Sequence, residues 1–287
     1  MKIKFITCIF SHLYGTDLGG RPSRTEHYKF SLLSLLKMTD ADFVCYTSVD
    51  EIDELKHFFH NMNNITESKL EFKTFNLRES KYSKLINEFK DTEEMKLSDR
   101  CYEIQYSKFD WFNYEDKSYD YYFWIDAGLS HTGIIPDKHL DGPGYRCYFE
   151  SHLFNNDFLK NLISFSEDKF VVISKENVRN YWDKTVDPKF YNEYNRTLHI
   201  IGGLFGGQVS LWDNVVEKFD NYVNEVLNDE KKLYLEENIM TLMFYNHNDL
   251  FKNLLFDVWW HEDNYKEHPE NFFIENKSFY KIIEELN

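Results

Sequence analysis

Only four cysteines stand in the 287 residues, Cys8, Cys45, Cys101 and Cys147, and no two form a C-x-x-C pair. Zinc-ribbon and thioredoxin-like chemistry therefore lack their ligands. Cys8 and Cys45 fall inside apolar, strand-like runs and read as small buried hydrophobes, which fits a reducing compartment. Basic charge is scarce as well: 33 Lys and Arg against 49 Asp and Glu leave a formal net charge of -16. No basic run interrupts this excess, so a nucleic-acid backbone or an anionic membrane surface would be repelled, and nucleic acid is excluded as a partner. No apolar stretch approaches the roughly 20 residues of a membrane span. The N-terminal apolar run is short, with no small-residue cleavage site after it, so a signal peptide is not expected. The expected location is the cytoplasm, any membrane contact being peripheral at the cytoplasmic face. Also missing are a G-x-G-x-x-G in the first loop and a G-x-x-x-x-G-K-[ST] anywhere, the warrants for dinucleotide and Walker-type binding.

What is present is aromatic. Phe, Tyr and Trp make up 18% of the chain, which marks a folded globular protein with a sizeable core, either one large α/β domain or two small ones. The stretch from Tyr119 to His131 organises the rest. Tyr121 to Ile125 is an unbroken apolar run of strand length, the pattern of a strand covered on both faces. Directly after it come Asp126, Ala127 and Gly128: an acid, then two residues that let another molecule approach the backbone. Ligands of open α/β sheets bind where strands end at their carboxyl edges, so Asp126 is a site candidate; the alternative is an acid that caps a turn.

Ile3 to Phe10 reads as a strand, followed by a polar loop with Gly15, Gly19, Gly20 and Pro22, then a helix starting near Ser23 or Thr25, with Ser23 and Glu26 as a capping box. Ala41 to Ser48 is a second strand. Strand, helix, strand is a βαβ unit and argues for a parallel sheet. Arg21 and Arg24 in or beside the loop suit a diphosphate, because a guanidinium offers two parallel hydrogen bonds to phosphate oxygens; solvated loop arginines are the alternative. Helices are expected over 52–61, 83–89, 98–112, 156–165, 211–227 and 235–245, and strands over 69–77, 145–149 and 169–173. A loop-rich stretch after His131 reads as a seam between halves.

Three further places carry chemistry. Leu198 to Gln208 joins an apolar strand to two Gly-Gly pairs, Gly202-Gly203 and Gly206-Gly207. Absent side chains there mean either a substrate against the backbone or tight strand packing and a bulge. In the helix from Leu235, Glu236 falls about 100° around from Leu235 and borders the apolar arc, whereas Glu237 falls about 200° around and points to water. Finally Phe256 to Asp263 is strand-like and ends in His261, Glu262 and Asp263, which repeats the arrangement at Asp126; a packed or surface histidine is the alternative.

On Arg24 and Tyr28, Trp124 to Gly128, Ile201 to Gly207, Glu236-Glu237 and Trp259-Trp260-His261, the chain resembles GT-A-type glycosyltransferases, and most closely the bacterial HtrL/YibB (WlaTC-like) family. The resemblance implies an α/β fold: a GT-A-like mixed, mainly parallel central sheet flanked by helices. It implies one domain over 1–287, with a nucleotide-sugar-binding half at 1–131 and an acceptor-binding half at 132–287. It further implies transfer of a sugar from a nucleotide-sugar donor to a glycan or glycolipid acceptor of a bacterial cell surface. Arg21, Arg24, Tyr28, Trp124, Asp126 and Gly128 would then hold the donor, and Gly202, Gly203, Gly206 and Gly207 the substrate. Asp126, Glu236 and Glu237 would be catalytic, and Mn²⁺ or Mg²⁺ would sit on Asp126 and His261. In the family's Asp-x-Asp motif the second acid would stand where this chain has Gly128, which puts the metal in question.

Overall fold

The computed structural model describes residues 1–10, 24–89, 102–128, 155–175, 199–230 and 233–256. The strands β1 (Ile3–Ile9), β2 (Asp42–Thr47), β3 (Leu70–Thr74), β4 (Tyr121–Ile125), β5 (Phe170–Lys175), β6 (His199–Gln208) and β7 (Phe251–Phe256) form one sheet, in the order β3-β2-β1-β4-β6-β5-β7. Its first four members are parallel, β6 runs antiparallel to both β4 and β5, and β7 is parallel to β5. The sheet is therefore mixed and mainly parallel, with β4 at its middle.

Helices cover both faces because the strands are apolar on both. On β4, Tyr122 and Trp124 enter one core and Phe123 and Ile125 the other. The first core packs α3 (Ser83–Phe89), α4 (Tyr102–Asp110), α6 (Val209–Glu230) and α7 (Glu236–Asn246) against the sheet. The second packs α1 (Arg24–Met38), α2 (Ile52–Lys56) and α5 (Asn156–Ser166). Asn155 caps α5, its side chain accepting from the N–H groups of Asp157 and Phe158. In α6 the stripe of Trp212, Val215, Phe219, Val223 and Val226 is buried, as its spacing predicts. Cys8 and Cys45 are buried free thiols.

Several boundaries differ from the sequence reading. α2 continues as a π-helical segment, His57–Met62. The strand Phe251–Phe256 is not expected from the sequence, because Lys252 and Asn253 interrupt its apolar run, and the strand-like run expected over 256–263 lies, past Phe256, outside the described residues. β6 does not stop before its glycines but runs through both pairs. The strand expected at 145–149, the seam after His131 and the cap at Ser23 lie outside the described residues.

Along β6 the pairing with β5 jumps from Val172↔Phe205 to Ile173↔Ile201, so Gly202, Gly203 and Leu204 bulge out of that ladder. In a regular strand Ile200 and Phe205, five apart, would face opposite sides. Here both enter the first core, because the bulge shifts the alternation.

Candidate active site

Parallel β1, β2 and β4 end at one edge of the sheet, and antiparallel β6 begins there. Asp126 is the first residue past β4, and its backbone N–H donates to the Gly203 carbonyl at 2.8 Å, which ties the end of β4 to the bulge of β6. The Asp126 side chain is 44% exposed, so the acid is open to a ligand. Its Oδ1 accepts from Trp124 Nε1 at 2.9 Å. The Trp124 ring itself is buried, so it supports Asp126 from below, while Ala127 and Gly128 are buried beyond the acid.

Lys108 stands behind this acid and was not singled out as a site residue by the sequence. It lies on α4, where Ile104, Tyr106 and Phe109 also enter the first core, and Phe109 stacks on Phe219 and Phe205 at centroid distances of 3.8 and 5.0 Å. A lysine in that setting must find acceptors, because an unpaired buried charge is very costly. The ammonium of Lys108 finds three: Glu236 Oε1 at 2.7 Å, the Gly202 carbonyl at 3.0 Å and Asp126 Oδ1 at 3.1 Å. Its Nζ also lies 5.2 Å from the Trp124 ring centroid. Burial alone would pull the lysine's pKa down; Asp126 and Glu236 outweigh it and hold the group above the ordinary lysine range. The available signal was a lysine between Tyr106 and Phe109 on a helix flanked by aromatics.

Glu236 and Glu237 begin α7, where the helix dipole favours acids. Glu236 faces inward, as its angle predicts, and is 3% exposed. Burial pushes its carboxyl up, Lys108 pulls it back, and Glu237 and Asp126 push it further up. The expectation that Glu237 points to water needs correction: it is half-buried, and its Oε1 accepts from the Gly202 N–H at 2.8 Å. The bulge accounts for this, because it presents the backbone of β6 to the first turn of α7.

Gly202 is thus gripped from both sides. A Cβ there would fall on Glu236 Oε1 and lie 3.1 Å from Lys108 Nζ, so the bare backbone is what lets the carboxylate and ammonium meet. Gly206 and Gly207 lie further along the strand, away from this cluster. Gly206 has φ +156°, and a Cβ on it would collide with the backbone of Tyr122 and Phe123; one on Gly207 would come within 3.1 Å of the Lys169 carbonyl. Their missing side chains serve close strand packing. Tyr28 is half-buried on α1 against the core of the opposite face. Arg24 opens α1, but its side chain, together with Arg21 and His261, lies outside the described residues.

Asp126, Lys108, Glu236, Glu237 and Gly202 therefore form one connected cluster at the carboxyl edge of the central strand. Among the described residues no group of three His, Cys, Asp or Glu side chains is placed to hold a metal ion. Asp126 offers a single carboxylate, and its Oδ1 already faces an indole N–H and an ammonium. The second protein contact that the family resemblance implies for a divalent ion, His261, lies outside the described residues.

A mixed, mainly parallel sheet covered by helices on both faces, with an acid at the end of its middle strand, is a GT-A-like fold. The structure is similar to that of mouse xyloside xylosyltransferase 1 in its apo form, with a TM-score of 0.55 and 11% identity over 95% of this chain and 94% of that one. Weaker likenesses, each with a TM-score of 0.43, run to a 4-diphosphocytidyl-2C-methyl-D-erythritol synthase of Anaerococcus prevotii and to the glycosyltransferase GlyE of Streptococcus pneumoniae. The former is 12% identical over 88% of this chain and 86% of that one, the latter 9% identical over 97% and 51%. No protein-family model and no curated protein matches the sequence.

Proposed function

We propose that this protein transfers a sugar from a nucleotide-sugar donor to a glycan acceptor. The observation that carries the reading is Asp126: an exposed carboxylate at the carboxyl end of the middle strand of a GT-A-like sheet, braced by Trp124 and Lys108. In this reading residues 1–131 bind the donor and 132–287 the acceptor. The bond between the anomeric carbon and the diphosphate oxygen breaks, its electron pair leaving with the nucleoside diphosphate, while the acceptor oxygen bonds to that carbon. Positive charge develops on the sugar ring, and Asp126 is the carboxylate exposed to meet it. Glu237, oriented by the Gly202 N–H, takes the acceptor's proton. Glu236 is enclosed and works as a positioning residue through Lys108. Charge on the departing diphosphate is balanced by Arg21 and by Arg24, the first residue of α1. No step is assigned to Mn²⁺ or Mg²⁺, because Asp126 is the one described residue of the implied pair and its Oδ1 already faces the Trp124 indole and the Lys108 ammonium. The resemblance to the HtrL/YibB family points to bacterial surface polysaccharide or lipooligosaccharide as the acceptor.

The test is release of nucleoside diphosphate from a panel of nucleotide sugars, each with and without bacterial surface glycan. Acceptor-dependent release supports transfer. Equal release without acceptor makes the protein a nucleotide-sugar hydrolase, and binding without release makes it a catalytically silent sugar-nucleotide binder.

A further inference from the structure

We propose that the Lys108 ammonium is a built-in cation: it fills an oxygen cage made by Asp126, Glu236 and the Gly202 carbonyl, and the site holds its donor without a divalent ion on Asp126. Three oxygens from three separate elements, β6, α7 and the end of β4, converge on one point at 2.7 to 3.1 Å. Two of them are carboxylates, and the third is the carbonyl of a glycine with no side chain to obstruct the approach. Oxygen-rich sets of this kind suit hard cations. Nζ occupies the centre, and the lysine's stem enters from α4 through the aromatic core, so the charge is covalently delivered and cannot dissociate. The geometry also gives Gly128 a rationale. A second acid there would add negative charge two residues from Asp126, in a cluster whose single ammonium already answers two carboxylates, whereas glycine adds none. Asp126 keeps its exposed side available for a hydroxyl of the donor; that part rests on the glycosyl-transfer reading, the cage itself does not.

Mn²⁺ alone is the probe, its free-ion signal followed by electron paramagnetic resonance. Wild-type protein and Asp126→Asn are expected to bind Mn²⁺ with the same weak affinity, because neither offers the ion a place at Asp126. Wild type binding at least tenfold more tightly than Asp126→Asn would overturn the proposal and return the metal to Asp126. In Lys108→Met the emptied cage is expected to bind Mn²⁺ at least tenfold more tightly than wild type, and the double variant Lys108→Met, Asp126→Asn to lose that gain. A folded Lys108→Met, verified by its near-ultraviolet aromatic circular dichroism, that gains no affinity would also overturn it. Should that variant fail to fold, the comparison of wild type with Asp126→Asn decides alone. None of these measurements involves turnover, so loss of the glycosyl-transfer reading would leave their outcome standing.

Discussion

Two single residues carry most of the functional argument, Asp126 because it is exposed and Gly202 because it has no side chain. Asp126→Asn keeps an acceptor for the Trp124 indole while removing the charge, so the fold should survive and sugar transfer should fall on the order of 10²-fold or more. The check is initial rate beside a thermal melt; full activity in a folded variant would end the assignment of Asp126. Gly202→Ala acts one step further back. Its Cβ would displace the end of the Glu236 side chain, a flexible group that can move at modest cost to stability but not without leaving Lys108. Misplacement of about 1 Å in a catalytic constellation costs roughly 10²-fold in rate. We expect a rate loss of that order in Gly202→Ala with an unfolding midpoint close to wild type. An active Gly202→Ala would show that the contact of Glu236 with Lys108 is dispensable.

Among the elements, β6 does the most to build the site. Its first glycine pair makes the bulge that faces α7, and its second lets the strand lie close to β4 and β5. These roles separate by substitution. At Gly206 a methyl group would meet backbone atoms that cannot rotate away, so Gly206→Ala should lower stability by roughly 2 to 3 kcal/mol, in the range of overpacked cores. Urea unfolding measures it. A Gly206→Ala protein as stable as wild type that has lost donor binding would instead favour a substrate-facing backbone at this pair. Helix α4 contributes Lys108 for a related reason: both of its flanks are packed, which forces a charged residue on it to seek the carboxylates across the core.

At the scale of the whole molecule, a second ionic cluster ties β1, β3 and Glu115 together, away from the site. Lys4 on β1 pairs with Glu115 Oε2 at 2.8 Å and with Glu71 Oε2 on β3 at 3.2 Å, while Lys73 of β3 reaches Glu115 Oε1 at 3.0 Å. Burial pulls the Lys4 ammonium down, but Glu115 and Glu71 more than reverse this, and the group is held above the ordinary lysine range. The folded chain thus binds this proton more tightly than the unfolded chain. The resulting stabilisation is complete below the unfolded value of 10.5 and is lost as pH rises through the higher folded value. Lys4→Met should cost about 3 kcal/mol at neutral pH, because it leaves the enclosed Glu115 with one cation fewer. In denaturant titrations the gap to wild type should hold from pH 7 to 10 and narrow above about 10.5; a gap that stays unchanged well above that pH would contradict the cluster.

Much of this architecture is local and was therefore legible in the chain itself. The run from Tyr121 to Ile125 made a buried strand because every residue in it is apolar, the stripe on α6 made a core helix because its period is helical, and an acid after such a strand had to lie at a sheet edge. Angle alone turned Glu236 inward. Long-range contacts left no such trace. The antiparallel direction of β6, the bulge that turns Gly202 towards α7, the half-burial of Glu237 and the partners of Lys108 depend on separate elements: Gly202 and Glu237 are 35 residues apart in the chain, Lys108 and Gly202 94, and Lys108 and Glu236 128. A sequence fixes periods and local propensities, which set each element's buried face. Which charge meets which carboxylate is decided only when separate elements dock, since a buried ammonium takes whatever oxygens the packing brings within reach.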